Sequence, residues 1–318
     1  MKPLFQLLSP SGARGRLTVL IFHRVLPQPD PLMPDEMDAA RFDALLGWVK
    51  SWFQVLPLDE AARRLHEGSL PARAAALSFD DGYADNHDVA LPLLRRHGLP
   101  CSFFVATDFL DGGRMWNDSL IESVRNTPLA LLDLRGLRDA HGQDLGQYSM
   151  GEMSSRRAPL HRLIERVKYL EPEPRLACVD AITERAQARL PNDLMMRSDQ
   201  VRGLRAAGMQ IGAHTASHPI LATLTPAAAA DEIARSRAVL EKLLGERVGM
   251  FAYPNGKPGV DYLPDVHPAL VRELGFDAAV STRWGAARRS DDIFQIPRFT
   301  PWDRSRGRFG LRLVRQLL

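Results

Sequence analysis

The sequence predicts a parallel α/β protein, and a barrel rather than an open sheet. About eight short apolar runs alternate with segments of helical periodicity, the beat of strand–helix–strand units. Strand after strand ends on a polar residue suited to chemistry, namely His23, Asp80, His214, Asn255 and Arg298. A closed parallel barrel gathers such ends on one face.

The elements follow in order. Leu17–Phe22 (LTVLIF) reads as a buried strand ending at His23. Phe42, Leu45, Leu46, Val49 and Trp52 repeat at helical spacing, with Asp38 placed to cap. A short strand over 53–56 and a helix capped by Asp59 and running to Gly68 come next. Ala74–Phe79 is an apolar run stopped by Asp80-Asp81-Gly82. Asn86–His97 reads as a helix closed by Gly98, and Pro100–Ala106 as a strand.

The alternation then breaks. Residues 112–196 show no convincing strand, only helical stretches around a Gly-rich middle, and are expected to be a helical insertion within one domain spanning 1–318. The beat resumes with a helix over 198–207 and the strand Met209–Ala213, which ends at His214. Thr225-Pro226 opens the longest helix, closed by Gly245. Val248–Tyr253, Ala278–Ser281 and Ile293–Phe299 read as the last strands.

Composition bounds the function. The 318 residues are 45% hydrophobic, ordinary for a globular chain with a large core. Lys+Arg (41) nearly balances Asp+Glu (38), and no basic block interleaves with aromatics, so no nucleic-acid partner is expected. Two cysteines give neither a disulfide framework nor a CxxC pair. The N-terminus lacks the apolar core of roughly 7–15 residues that marks a signal peptide. A cytoplasmic protein is expected; the basic, apolar tail 306–318 and Leu4, Phe5, Leu7 and Leu8 either pack on the barrel or dock weakly on the inner membrane surface. The oligomeric state is not legible.

The chemistry centres on two neighbouring carboxylates, Asp80 and Asp81, which repel unless a cation lies beside them. His214 and His218, four residues apart, can grip one ion from one helical turn, or be two unrelated histidines. Two His and one carboxylate with open positions form a hydrolytic metal site. His23 is either satisfied by backbone or an acid/base group. Arg298 is either a structural ion pair or the partner of an active-site carboxylate. Trp116 and Asp118 open the insertion, as core packing or as substrate contacts.

Four motifs carry a family resemblance. Ser78-Phe79-Asp80-Asp81-Gly82 resembles the TFDDG motif of the polysaccharide deacetylases, the NodB-homology or carbohydrate esterase family 4. His214–His218 (HTASH) resembles that family's H-[ST]-x-x-H. Phe251–Gly256 (FAYPNG) is similar to its third motif, and Val19–Val25 (VLIFHRV) to the start of the poly-N-acetylglucosamine deacetylase branch. Together they cover roughly 17–110 and 198–300.

The resemblance implies a distorted (β/α)7-type barrel and metal-dependent removal of N-acetyl groups from an amino-sugar glycan or its lipid-linked precursor. By position, Asp81, His214 and His218 would hold one divalent ion. Zn²⁺ is the expected ion, though the ligand set also admits Co²⁺, Ni²⁺ or Fe²⁺. Asp80 would be the base and His23 the acid. Tyr253, Pro254 and Asn255 would line the substrate or oxyanion position. Where many members carry Arg before the third motif's Tyr-Pro, this chain has Ala252, and Arg298 is the candidate to pair with the base. The insertion would cap the substrate face. Two other readings stay open: a non-catalytic glycan-binding module on the same fold, and a C–N hydrolase of a small cyclic amide.

Overall fold

The computed structural model describes all 318 residues. In chain order the elements are α1 (Lys2–Leu8), β1 (Thr18–Phe22), α2 (Ala39–Trp52), β2 (Gln54–Val55), α3 (Leu58–Glu67), β3 (Ala74–Phe79), α4 (Leu91–His97) and β4 (Ser102–Val105). Then come α5 (Trp116–Asn126), β5 (Leu131–Asp133), β6 (Gln147–Ser149), α6 (Arg157–Val167), α7 (Pro172–Arg185), α8 (Ser198–Ala206) and β7 (Gln210–Ala213). The last are α9 (Pro226–Leu244), β8 (Met250–Ala252), α10 (His267–Glu273), β9 (Ala278–Val280) and α11 (Arg306–Leu317). They form two compact units: Met1–Gln28 with Met37–Asp111 and Met196–Leu318, and Pro29–Glu36 with Gly112–Met195.

The first unit is built on an all-parallel sheet in the order β1-β3-β4-β7-β8-β9, with β2 also on β3. Ile293–Phe299, expected as a strand, is instead a 3₁₀ turn (Ile293–Gln295) followed by an extended segment. That segment closes the sheet. Ser281 donates to the Ile296 carbonyl (2.8 Å), and Phe299 donates to that of Val19 (2.8 Å), so residues 296–299 bridge β9 and β1. Proline at 297 breaks regular pairing, because it has no N–H to give. The result is a distorted parallel barrel.

Strand parity sorts the core. Successive side chains on a strand point to opposite faces. Val19, Ala74, Ala76, Phe104, Met250, Ala252, Ala278, Val280 and Ile296 form one cluster inside the barrel. Leu20, Phe22, Leu77, Phe79, Phe103, Ile211, Phe251 and Ala279 face outward under α2, α4, α8 and α9. The inward residues are mostly small, which makes room for Phe104. It lies so close to Gly212 that an added Cβ there would sit 2.5 Å from Phe104 Cε1.

Local signals set the helices. Asp38 accepts from Ala40 and Arg41 (3.0 Å each) and starts α2; Thr225 accepts from Ala228 (3.3 Å) and starts α9. Asp59 does not cap α3; the helix begins after Pro57 and holds Asp59 in its first turn. The expected helix over 86–97 is a π turn (Asn86–Ala90) running into α4. In α11 it is Phe309, Leu313 and Leu317 that bury, beside α1 and Trp52, while Leu311 stays exposed with Arg308 and Arg315.

The second unit packs α5, α6 and α7 around Leu120, Val124, Leu160, Leu163 and Ile182. It is not wholly helical, because β5 and β6 form an antiparallel hairpin. Leu32, from the segment Pro29–Glu36, joins this core, and Asp30 binds Arg125 through two bonds (3.0 and 2.6 Å).

Candidate active site

Parity also places the chemistry. Continuing the inward positions of β3 beyond Ala74 and Ala76 gives Ser78 and Asp80. On β7, Ile211 and Ala213 face outward, so the next residue, His214, turns in. From Ile296, the same count turns Arg298 in.

Arg298 grips Asp80 with both arms, Nη1 to Oδ1 and Nη2 to Oδ2 at 2.6 Å each. Its Nε donates to the Ser281 carbonyl (3.1 Å) and Nη1 also to Ser78 Oγ (3.3 Å). Both partners are buried. Burial alone would raise the Asp80 carboxyl. The Arg298 charge, with that of His214, outweighs it and holds the group below its ordinary value. Asp80 is thus ionised and fixed in orientation.

Asp81 sits next to it in a left-handed conformation (φ 76°). Gly82 follows with φ 92°, against Val105, where an added Cβ would lie 3.1 Å from Cγ1. The turn aims Asp81 at two imidazoles: its Oδ1 lies 3.4 Å from both His214 Nε2 and His218 Nε2. One ligand atom from each of the three residues falls within 4.8 Å of the others.

The tautomer of His214 is set by its other nitrogen. Nδ1 lies 2.8 Å from the Ala252 carbonyl, which can only accept, so Nδ1 carries the hydrogen and Nε2 the lone pair. That Nε2 is buried and has no hydrogen-bond partner. An orphaned buried lone pair facing a carboxylate and a second imidazole suits a cation-binding site. The donor set fits a divalent ion with open positions.

The charges agree with that reading. Burial would raise Asp81, but His214, His218 and His23 together hold it below the usual carboxylate range. Burial disfavours the protonated His218, whose ring is 18% exposed, and brings it to about 4, so it is neutral and free to ligate. Burial also opposes charge on His214, yet Asp80 and Asp81 beside it win and raise it. The site therefore attracts positive charge at His214.

The loops are held from outside. Glu232 on α9 accepts from the backbone of Ala216 (3.1 Å) and Ser217 (2.8 Å) and from Ser217 Oγ (3.0 Å). Thr215 Oγ1 accepts from the His218 N–H (3.1 Å). Asp85 accepts from the Val25 N–H (3.0 Å) and Arg24 Nε (2.8 Å), and Asn86 donates to the His23 carbonyl (2.8 Å). These bonds fix the backbone on either side of an exposed His23, whose charge reaches both Asp80 and Asp81. None of these holding residues stands out in the sequence, except that Asp85-Asn86 trails the carboxylate pair.

Non-glycine residues with positive φ concentrate here: Asp81 (76°), Thr215 (62°), His218 (56°) and Asn255 (57°), four of the chain's seven. Such conformations cost about 1–3 kcal/mol each and gather where function over-determines the backbone.

The third motif is divided. Phe251 and Tyr253 share the outward face, and the Tyr253 hydroxyl is buried on the Phe294 carbonyl (3.0 Å), its ring stacked on Tyr262. Tyr253 therefore offers the site no side chain. Pro254 is buried, and Asn255 is exposed at the turn, where Thr282 Oγ1 donates to its carbonyl (2.9 Å). Trp116 and Asp118 belong to the second unit. There Trp116 packs on its core under Arg175 and Asp118 is buried.

Comparison with known proteins bears on this arrangement. The family model described as polysaccharide deacetylase matches residues 67–128 and 177–279. Among curated proteins, YxkH of Bacillus subtilis is 20% identical over 286 residues, 89% of this chain and 71% of that one. Among solved structures, the Streptococcus pyogenes deacetylase PplD in complex with acetate aligns with a TM-score of 0.61 at 17% identity, covering 95% of this chain and 98% of that one. IcaB from Ammonifex degensii aligns with a TM-score of 0.60 at 18% identity, covering 97% and 98%. These likenesses in structure are likenesses of fold, and the barrel is of that kind.

Proposed function

The chain belongs to the polysaccharide deacetylase family, and on that premise we propose that it is a metal-dependent hydrolase removing N-acetyl groups from an amino-sugar glycan or its lipid-linked precursor. The observation that carries the reading is the unpartnered His214 Nε2 between Asp81 and His218, one residue from an Arg298-locked Asp80.

Asp81, His214 and His218 would hold the ion, Zn²⁺ by preference. When bound, the ion supplies Lewis acidity, lowering the pKa of a water and polarising the acyl carbonyl. Asp80 takes the attacking water's proton, and its two bonds to Arg298 keep it ionised and aimed. His23 gives a proton to the nitrogen as the C–N bond breaks, so that a neutral amine leaves. Its exposure lets it recover that proton from solvent. The backbone N–H at Asn255 is assigned to the oxyanion. Water and amide become acetate and amine.

The test is acetate release from free, polymeric and lipid-linked N-acetylated sugars, by protein loaded with Zn²⁺ and by chelated protein. Release from at least one amino sugar, lost on chelation and restored by metal, is expected. Release from none, or release unaffected by chelation, overturns the reading.

Weak docking on an anionic membrane is part of the proposal. The exposed Leu4, Leu7 and Leu311 stand among Lys2, Arg308 and Arg315. Cosedimentation with anionic vesicles at low and high salt checks it; no binding at low salt removes it.

A further inference from the structure

The end of the barrel away from the carboxylates carries a second concentration of charge. Arg16 lies just before β1, at the N-terminal end of the strands, whereas Asp80 and His214 follow C-terminal ends. Leu17 and Ala287 form an antiparallel pair with reciprocal bonds (2.9 and 2.8 Å), so the adjoining Arg16 and Arg288 stand opposite each other. Like charges directly opposite are destabilising. Arg14 and Arg289 join them around a cavity of about 530 Å³ that Ser290 also lines.

The protein supplies no side-chain carboxylate to these four guanidiniums. Arg288 reaches the main-chain oxygen of Leu318 (3.2 Å) and Arg289 that of His66 (3.2 Å). Asp291 is engaged by Arg283 (3.3 Å) and by the Arg288 backbone N–H (2.8 Å). One Nη of Arg16 is buried with no partner. Burial and then the Arg288 charge push the Arg16 guanidinium down from its ordinary value, the sign of a cation lacking a counter-ion. The backbone that carries this side chain is fixed, because Ser9 Oγ donates to the carbonyl of Arg16 (2.8 Å) and accepts from its N–H (3.1 Å).

We propose that this cavity binds a phosphoryl group, as a phosphate, pyrophosphate or phosphomonoester. Guanidinium forks match the oxygens of a phosphoryl group in pairs, and a dianion between Arg16 and Arg288 turns their repulsion into attraction. The volume leaves room for more than the phosphoryl group alone. Its place at the opposite strand ends separates it from the site of acetyl removal.

Calorimetric titration with inorganic phosphate and with pyrophosphate, at fixed ionic strength, tests it. Because these anions also bind metal ions, wild type, Arg16→Gln, Arg288→Gln and His214→Ala are all titrated after chelation. Saturable binding is expected in wild type and His214→Ala, weakened about tenfold or more in each arginine variant, the scale of one charged hydrogen bond. Arg16→Lys, which keeps the charge but not the fork, should weaken it too.

Vesicles of phosphatidic acid in phosphatidylcholine form the second arm. Binding to them that is lost in Arg16→Gln, without binding of the soluble anions, assigns the phosphoryl group to a lipid headgroup. Binding of neither probe overturns the proposal. So does binding that survives both arginine variants or disappears in His214→Ala, since the anion then sits elsewhere. Melting temperatures of the variants close to that of wild type establish that the cavity itself is being read.

Discussion

The two units of this chain both bury charge, and they finish the job differently. In the second unit Arg125, Arg156 and Arg166 spend their donors on the protein itself, although the Nε of Arg114 and of Arg175 is buried without a partner. Arg125 joins Asp30 and Glu122, and Arg156 gives one Nη to the carbonyls of Val124, Arg125 and Thr127 at the end of α5 (2.9, 3.0 and 3.0 Å). Arg166 ties Asp139 (2.8 Å) to the carbonyls of Leu145 (3.1 Å) and Asp144 (2.9 Å). In the first unit the Arg298–Asp80 pair is just as complete, yet beside it His214 Nε2 has no hydrogen-bond partner and only faces the Asp81 carboxylate at 3.4 Å. Saturated networks hold loops. An open buried atom, set among strained backbone, is where a ligand belongs.

The sharpest way to break that comparison is to remove the open atom. His214→Ala should lose the metal and with it all turnover, a total effect read by elemental analysis alongside acetate release. A variant that still carries one metal per chain would end the assignment of this site. Asp80→Asn should keep the metal and lose activity, because the amide cannot take a proton. His23→Ala should cost about 10²–10⁴ in rate as the loss of a general acid. Wild-type turnover in either would strike that residue from the mechanism.

A smaller effect is expected one bond further out. Glu232 touches no ligand atom; it holds the backbone of Ala216 and Ser217 between the two histidines. Glu232→Ala should weaken metal affinity about 10–100-fold, the usual scale for outer partners of a metal site, while saturating metal restores activity. Unchanged affinity would make Glu232 a feature of α9 alone.

Much of the site is legible in the sequence because strand parity is a local property. Asp80, His214 and Arg298 each fall on the inward count of an apolar run. The same count, applied to Phe251 and Tyr253, already turns Tyr253 away from the site, so that candidate could have been set aside. What was not legible depends on distant partners or very short elements. Asp30 meets Arg125 across 95 positions, so nothing near Pro29–Glu36 announces that it leaves the first unit. The hairpin strands β5 and β6 are three residues each, too short to show alternation. Residues 296–299 look like a strand but are held by bridges on two sides, with proline between. The Arg298 alternatives separate only because that segment closes the barrel between β9 and β1, which brings Arg298 onto Asp80.

The smallest effect on chemistry should come from the second unit's own buried charge, and there the readout is stability. Arg125→Met leaves Asp30 without its partner. The pair is partly buried, so breaking it should cost less than the about 3–5 kcal/mol of a fully buried one, here expected as faster hydrogen exchange across α5 and α7. The pH dependence has a definite sign. Burial would raise Asp30, but Arg125 outweighs it and holds the carboxyl below its ordinary value. A depressed carboxylate contributes stability that is present above the unfolded value, about 3.9, and lost as pH falls through the folded one. The gap between wild type and Arg125→Met should therefore be full at neutral pH and close in acid. Metal content should be the same in both. Loss of metal without a change in exchange would show that the second unit's charges serve the site after all, and the contrast between the two networks would fail.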